Sequence, residues 1–165
     1  MQQLDILKSH IVTLEELDRI ILRLRLKGQK IVFTNGCFDL LHQGHIDYLS
    51  KAADLGNVLI VGVNSDASVR RLGKGSTRPL QDETSRAMIM ASLHFVSYVV
   101  IFDEDTPFEL IDRIKPHVLV KGSDYQIKDV VGHDIVLKNG GEVRLIDYLE
   151  GFSTSNIERK IKAST

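Results

Sequence analysis

The chain has 165 residues, 43% of them hydrophobic and 26% charged, which is the composition of a globular protein and not of a disordered or fibrous one. Its 21 lysines and arginines balance 22 acidic residues, which argues against a dedicated nucleic-acid-binding or membrane-surface protein. The single Cys37 excludes an intrachain disulfide, and we find neither a secretory signal nor an apolar run near the roughly 18 residues of a membrane span, so we expect a soluble cytoplasmic protein.

The first predicted element is an amphipathic helix over residues 14–27. Thr13 and Glu16 form a capping box in front of it, and its apolar residues recur at helical spacing on one face. We therefore predict that residues 1–28 form a helical extension and that residues 29–165 form the main domain.

From residue 30 onward, short β-rich segments alternate with longer segments of helical spacing. The predicted strands are 31–34, 58–63, 98–102, 118–120 and 143–146. Helix starts are predicted at caps Asp82, Thr106 and Ser155, the last in a capping box with Glu158. Apolar strands that alternate with helices are typical of a parallel sheet covered on both faces. We predict the order β-α-β-α-α-β-α-β-α-β-α, an α/β fold with a doubly wound sheet of about five strands.

Ligands of doubly wound sheets bind beyond the carboxyl ends of the strands. There, the loop 34–45 carries His42 and His45 on either side of Gly44, just before a helix. Residues three apart project to the same side of a helix, and Gly36 permits a close approach of the backbone, so the loop suits a phosphate. Two other interpretations stay open, namely zinc ligands that lack a third partner and structural histidines at a helix start.

Other phosphate-binding patterns are weaker. A G-x-G-x-x-G pattern is missing after every predicted strand, which disfavours a dehydrogenase-type dinucleotide binder. Residues 73–76 have a superficial likeness to a P-loop but lack the upstream glycine and the preceding strand. The loop 64–78 holds four cations that suit either an anion-binding loop or a solvated charged face: Arg70, Arg71, Lys74 and Arg78.

Two segments carry a family resemblance. Residues 36–45, GCFDLLHQGH, resemble the signature of the HxGH nucleotidyltransferase superfamily, in its cytidylyltransferase-like branch. Residues 151–157, GFSTSNI, resemble the second signature of that family, a Ser-Thr turn that opens the last helix. The resemblance covers about residues 29–163 and implies a Rossmann-like nucleotidyltransferase fold, here with an extra N-terminal helix.

Within the superfamily, further stretches resemble the adenylyltransferases that make ADP-heptose from D-glycero-β-D-manno-heptose 1-phosphate. They are residues 33–39, 63–68, 78–80, 105–107, 120–125 and 139–143. Some members are fused to a sugar kinase, and from its length we expect this chain to be the monofunctional form. The resemblance implies transfer of AMP from ATP to the sugar phosphate with release of pyrophosphate, with Mg²⁺ held mainly by the phosphates and without a protein metal site.

The same resemblance implies roles for individual residues. The implied catalytic residues are His42, His45, Lys74, Ser153 and Thr154. The implied nucleotide-binding residues are Thr34, Asn35, Gly36, Phe38, Gly44, Lys121, Gly122, Asp124 and Ser155, with the base and ribose against the 121–125 loop. The implied substrate-binding residues are Asp39, Asn64, Asp66 and Arg86, of which Asp39 either braces the first loop or touches the sugar.

Several alternatives stay open. The chain could be a cytidylyltransferase acting on glycerol 3-phosphate or a related phosphate, or a non-catalytic nucleotide-binding domain. Arg86 could be a surface arginine paired with Asp82 or Glu83, and the residues of the Ser-Thr turn could simply cap a helix. The expected partners are a sugar phosphate and a nucleotide, with no nucleic acid or membrane. We also expect a homodimer, from the habit of the family and the extra helix.

Overall fold

A computed structural model describes residues 2–73 and 78–163 of the chain. Within these residues, five strands form one parallel sheet in the order β3-β2-β1-β4-β5. The strands are β1 Ile31–Gly36, β2 Val58–Asn64, β3 Tyr98–Phe102, β4 Val118–Gly122 and β5 Glu142–Ile146. The predicted order of strands and helices after residue 30 is confirmed, and so is the α/β fold with a doubly wound sheet of five strands.

Helices cover both faces of the sheet. They are α1 Gln3–Ser9, α2 Leu14–Leu26, α3 Gln43–Ala53, α4 Asp66–Arg71, α5 Glu83–Ala91, α6 Phe108–Ile114, α7 His133–Lys138 and α8 Thr154–Ala163, with a 3₁₀ turn at Ile127–Asp129. Residues of α3 and α5 pack on one face, and residues of α2, α6 and α7 pack on the other. Along β1, Ile31 and Phe33 pack on the face covered by α2, α6 and α7, and Val32 packs on the face covered by α3 and α5. Successive side chains of a strand point to opposite faces of the sheet. None of the helices in the described ranges has the length and apolarity to cross a bilayer.

The N-terminal segment forms two helices where one was predicted. The short α1 escaped prediction because its seven residues offer too few apolar positions to show a helical period. Between the helices, Ile11 pairs with Val99 at the edge of the sheet. The predicted α2 is confirmed, with Thr13 accepting the N–H of Glu16 and the Glu16 carboxylate accepting that of Thr13. Its apolar face is buried against the sheet, so α2 shares one core with the main domain.

Of the three helix caps predicted after residue 30, only Asp82 is confirmed, since its carboxylate accepts the N–H of Ser85 at 2.9 Å. Helix α6 has Pro107 at the cap position, where the ring offers no side-chain acceptor. Helix α8 is capped by Ser153, which accepts the N–H of Asn156 at 3.1 Å, and not by Ser155. Several hydroxyl residues compete for the start of α8, and local sequence does not decide among them.

The topology fixes where a ligand can bind. From β1 the chain crosses over α3 to β2, and from β4 it crosses over α7 to β5 on the opposite face. The adjacent strands β1 and β4 therefore send their connections in opposite directions, and a crevice is left beyond their carboxyl ends. The candidate site lies in this crevice.

The position of α2 in the core leads to a stability prediction. Leu17 has no exposed surface, whereas Leu22 on the same helix is 62% exposed. We expect Leu17→Ala to lower the free energy of unfolding by about 2–5 kcal/mol through lost burial and a cavity. The matched control Leu22→Ala should change it by less than about 0.5 kcal/mol. Urea denaturation measures both values, and equal effects would contradict the placement of α2.

Candidate active site

A cleft of about 810 Å³ lies beyond the carboxyl ends of β1 and β4. It is bounded by the loops that follow β1, β3, β4 and β5 and by the first turn of α8. Its lining includes Asn35, Gly36, Phe38, Asp39, His45, Asn64, Arg78, Thr106, Lys121, Gly122, Tyr148, Thr154, Ser155 and Glu158. Segments from both ends of the chain therefore meet in one cavity, where the sheet topology predicts a ligand.

The two histidines of the first loop form a stacked pair at the start of α3. Their ring centroids are 3.8 Å apart with an interplanar angle of 28°. The Nδ1 atom of His45 accepts the backbone N–H of His42 at 3.4 Å. A neutral His45 with Nδ1 as acceptor carries its proton on Nε2, and this residue lines the cleft. His45 is therefore a neutral hydrogen-bond donor for a ligand in the cleft.

Burial favours the neutral form of both imidazoles. Burial, and then the neighbouring His42, lower the pKa of His45 to about 4. Burial also lowers the pKa of His42 below its ordinary value. Across the described ranges, no three His, Cys, Asp or Glu side chains gather as metal ligands. The zinc interpretation therefore has no support in the part of the chain that the structure describes.

Two glycines make room for the rings around the histidine pair. A Cβ atom at Gly44 would lie 3.1 Å from the ring of His42 and 3.3 Å from Cβ of Phe152. A Cβ atom at Gly36 would lie 3.1 Å from the ring of Phe38, which itself contacts His45 edge-on at 5.6 Å. Either Cβ would be tighter than ordinary contact, so the two glycines keep these rings in place.

The Ser-Thr turn faces the same cleft. Thr154 and Ser155 line the cavity, and Ser153 caps the helix behind them. The first backbone N–H groups of a helix lack intrahelical partners and suit an anion. Phe152 lies directly beside Gly44, so the start of α8 packs against the start of α3. The structure thus brings together the histidines and the hydroxyl turn, which lie far apart in sequence.

A buried carboxylate ties these segments together. Asp39 is 4% exposed at its side chain and pairs with Arg78 at 2.7 Å. It also accepts the backbone N–H groups of Leu80 at 2.8 Å and Gln81 at 3.0 Å. Burial opposes ionisation of Asp39, but the N–H groups of Gln81 and Leu80 together with Arg78 outweigh it and lower its pKa. Arg78 also pairs with Glu158 of α8, so one arginine links the loop after β1 to α8.

The predicted substrate-binding residue Arg86 lies inside the protein. Its guanidinium is fully buried and donates to the carbonyl oxygens of Cys37 at 2.7 Å and Gln81 at 2.9 Å. It also pairs with Asp66 at 2.7 Å, so the alternative of a surface pair with Asp82 or Glu83 is wrong. Of the predicted substrate-binding residues, Arg86 and Asp66 brace the loop after β1 from behind. Asn64 donates to Ser68 at 3.0 Å and lines the cleft.

The predicted nucleotide-binding residues are spread over the cleft and its surroundings. Thr34 is fully buried and bonded to the hydroxyl of Tyr48 at 2.8 Å, so it lies beneath the cleft. Lys121 on β4 donates to the side-chain oxygen of Asn35 on β1, and both line the cleft. Gly122 lies under the ring of Tyr148. Beside that ring, Asp124 is exposed at the rim.

One predicted site residue lies outside the described residues, and several residues that line the cleft were not predicted from the sequence. Lys74, the predicted phosphate-contacting lysine, is outside the described residues. Sequence reasoning assigned no site role to Glu158 or Tyr148, and it placed Arg78 only among the four cations of its loop. Glu158 was interpreted as part of a helix cap, because its spacing from Ser155 fits one. No local pattern pairs it with Arg78.

The family of the chain follows from comparison with known proteins. The family model "Cytidylyltransferase-like" matches residues 33–160. The chain belongs to the cytidylyltransferase-like family, as the first and last loops predict.

Curated relatives narrow the likeness further. The chain is 54% identical to the bifunctional protein HldE of Citrifermentans bemidjiense over 94% of the chain and 32% of that protein. It is 57% identical to the bifunctional protein HldE of Campylobacter concisus over 91% of the chain and 30% of that protein. The chain thus spans about a third of the length of these relatives.

Solved structures agree on the fold. A lipopolysaccharide core biosynthesis protein from Thermoplasma volcanium superposes with a TM-score of 0.61 at 30% identity, covering 74% of this chain and 98% of that one. Pantoate-beta-alanine ligase from Francisella tularensis superposes with a TM-score of 0.62 at 19% identity, covering 92% and 76%, which is a likeness of fold alone.

The ion pair and hydrogen bonds of Asp39 lead to a second prediction. Asp39→Asn keeps the shape of the side chain but removes its charge beside the nearly buried Arg78. We expect a loss of about 3 kcal/mol in the free energy of unfolding at neutral pH, the lower end for a broken buried pair, because Arg78 keeps Glu158. The control Asp54→Asn, at an exposed position after α3, should change little.

The pH dependence of stability shows whether the effect of Asp39→Asn comes from the charge of Asp39 or from the shape of its side chain. Because folding lowers the pKa of Asp39, its contribution is present above the unfolded-state pKa and is lost as the pH falls through the folded-state value. The difference in stability between the wild type and Asp39→Asn should therefore shrink in acid. Denaturant melts at several pH values measure this, and a difference that stays constant would contradict the role of the charge.

Proposed function

We propose that this chain is an adenylyltransferase that transfers AMP from ATP to D-glycero-β-D-manno-heptose 1-phosphate, giving ADP-heptose and pyrophosphate. The observation that carries the proposal is the meeting of His45, which is stacked on His42, with Thr154 and Ser155 on one cleft at the switch point of the sheet. A site that only binds nucleotide has no need of donors on both sides of a triphosphate. The choice of heptose rests on the sequence resemblance and on the HldE relatives.

The reaction is displacement at phosphorus. An oxygen of the sugar 1-phosphate attacks the α-phosphorus of ATP, the new P–O bond forms, and the bond to pyrophosphate breaks. A phosphomonoester has its second pKa near about 6, so the attacking oxygen is already ionised at neutral pH. The enzyme therefore needs no general base. The carboxylates on the cleft agree with this, since Asp39 and Glu158 are both engaged by Arg78.

Catalysis then depends on positioning two anions and on stabilising the charge that develops at phosphorus. We assign to His45 the donation of Nε2–H to an oxygen of the α-phosphate, a bond that strengthens as charge builds up in the transition state. The N–H groups and hydroxyls of Thr154 and Ser155 would receive the β- and γ-phosphates that leave as pyrophosphate. Neutral imidazoles donate here without the desolvation cost of a buried charge.

A magnesium ion fits this donor set only as a companion of the nucleotide. The cleft carboxylates Asp39, Glu158 and Asp105 are paired with arginines, and the described residues hold no cluster of metal ligands. Mg²⁺ keeps several waters and binds readily through substrate phosphates. We propose that it is bound by ATP, where it neutralises phosphate charge, and that the chain supplies few direct ligands.

The acceptor sugar phosphate is assigned to the wall of the cleft opposite α8. Asn64, Thr106 and Pro107 line this wall, and Asn64 was among the predicted substrate-binding residues. Amide and hydroxyl groups suit the many hydroxyls of a heptose. We carry forward a cytoplasmic location and a homodimer as further parts of the proposal, and the mass measured by light scattering tests the dimer.

The proposed substrates can be tested by pyrophosphate release. We expect release from ATP with D-glycero-β-D-manno-heptose 1-phosphate and little release when CTP or glycerol 3-phosphate replaces either substrate. Activity with CTP alone would point to a cytidylyltransferase. Binding of nucleotide without pyrophosphate release from any pair would point to a non-catalytic domain and would overturn the proposal.

The role of His45 gives a further prediction. We expect His45→Ala to lower kcat by about 10²–10³-fold, the usual effect of losing one transition-state donor, while the fold is retained. The matched control is His94→Ala, at an exposed position after α5 that lies away from the cleft, and it should keep normal turnover. Circular dichroism verifies the fold of both variants. Normal turnover in a folded His45→Ala variant would remove His45 from the mechanism.

A further inference from the structure

Tyr148, two residues after β5, lies across the end of β4. A Cβ atom added to Gly122 would overlap the hydroxyl end of the Tyr148 ring, so the ring rests directly on the glycine backbone. Tyr148 also lines the cleft together with Gly122. The space above Gly122 is therefore filled by an aromatic side chain.

The ring of Tyr148 stacks on a buried tyrosine and is partly exposed to solvent. It stacks on Tyr48 with a centroid distance of 6.1 Å and an interplanar angle of 28°. Tyr48 is buried and its hydroxyl is bonded to Thr34, so the platform is fixed. Tyr148 itself is 52% exposed. A half-exposed side chain whose contacts are a stack on Tyr48, the Gly122 backbone and an exposed carboxylate can leave by rotating about its side-chain bonds without disturbing the core.

The hydroxyl of Tyr148 faces a carboxylate. Burial, and then the nearby Asp124 and Tyr125, raise the pKa of Tyr148 to about 12, so the phenol is neutral and can donate a hydrogen bond. Asp124 is exposed at the rim of the cleft and offers an acceptor. Tyr148 thus presents a flat aromatic ring to a glycine and a hydroxyl to a carboxylate.

A nucleoside would make the same two contacts, with its base or ribose close to Gly122 and a ribose hydroxyl at Asp124. Both cannot occupy this space together. We propose that Tyr148 fills the nucleoside subsite when no nucleotide is bound, and that nucleotide binding displaces the ring toward solvent. Tyr148 then sets nucleotide affinity. This inference rests on the proposed function, since it needs a nucleotide in the cleft, and on the family resemblance, which implies that the base and ribose lie against the 121–125 loop.

If the ring of Tyr148 must leave before the nucleotide binds, it raises the KM for the nucleotide. A purely structural role of Tyr148 would not have this effect. When the competent state is populated only one-tenth of the time, the apparent affinity is about 10-fold weaker than the intrinsic one. We expect Tyr148→Ala to lower the KM for the nucleotide by about 3–10-fold, with the effect falling on KM and not on kcat. Tyr148→Phe keeps the ring but loses the bond to Asp124, so it should show a smaller decrease. A raised KM in Tyr148→Ala would overturn the proposal.

Fluorescence provides a direct test, because the chain contains no tryptophan. Tyr148→Trp places a single indole at this position, and nucleotide binding should shift its emission to the red and increase its quenching by acrylamide. The matched control Tyr98→Trp, on β3 away from the cleft, should not respond. Protection of the indole at position 148, or unchanged emission while calorimetry shows bound nucleotide, would overturn the proposal.

The failure of this proposal and the failure of the proposed function can be told apart. The fluorescence readout requires nucleotide binding only, and it can be taken with ATP and with CTP. A red shift without pyrophosphate release would support displacement of Tyr148 and contradict the transferase. Pyrophosphate release without a red shift would support the transferase and contradict the displacement of Tyr148. If neither nucleotide binds, both are contradicted.

Discussion

The ion pair between Asp39 and Arg78 is the interaction on which the geometry of the site depends. Removing a carboxylate from water costs several kcal/mol, and here that cost is offset by the guanidinium and by two backbone N–H groups. Because Arg78 also reaches Glu158, the loop after β1 and the start of α8 are fixed to the same side chain. The two walls of the cleft that we propose to bind phosphate are thereby tied to each other, and positioning is the main task in nucleotidyl transfer.

The protonation states in the cleft agree with that task. Two imidazoles whose centroids are 3.8 Å apart would repel each other if both were charged, and burial keeps them neutral. They can donate hydrogen bonds to phosphate, yet they are poorly suited to act as acids. A reaction whose nucleophile is already an anion and whose leaving group is pyrophosphate makes no demand for an acid or a base. The chemistry of the proposed substrates and the electrostatics of the protein thus complement each other.

Much of the fold could be predicted from the sequence because strands of a parallel sheet are buried on both faces. Strand β2, buried along its whole length, therefore reads as an unbroken apolar run. The convergence of His45 and Thr154 was predictable from the family signatures and from the rule that ligands bind at the carboxyl edge of the sheet.

Other features could not be predicted, because they depend on contacts between segments far apart in the chain. Helical spacing places Arg86 one turn into α5 but does not say that its guanidinium reaches the carbonyl of Cys37. Spacing likewise suggested a cap at Glu158, whereas the residue is held by Arg78. The position of Tyr148 over Gly122 depends on the approach of two neighbouring strand ends, and this approach leaves no trace in local sequence.

The enclosure of Arg86 bears on how variants of this protein should be interpreted. Its three nitrogens meet two main-chain oxygens and one carboxylate, a planar arrangement that an ammonium group cannot reproduce. A lysine at this position would disturb the loop that holds the histidines, and we expect the proposed activity to fall although the guanidinium is buried on protein partners. Selection on such a site would preserve arginine as strictly as any residue that handles phosphate. A loss of activity at this position would therefore report on the scaffold, and only the position of the guanidinium in space distinguishes the two roles.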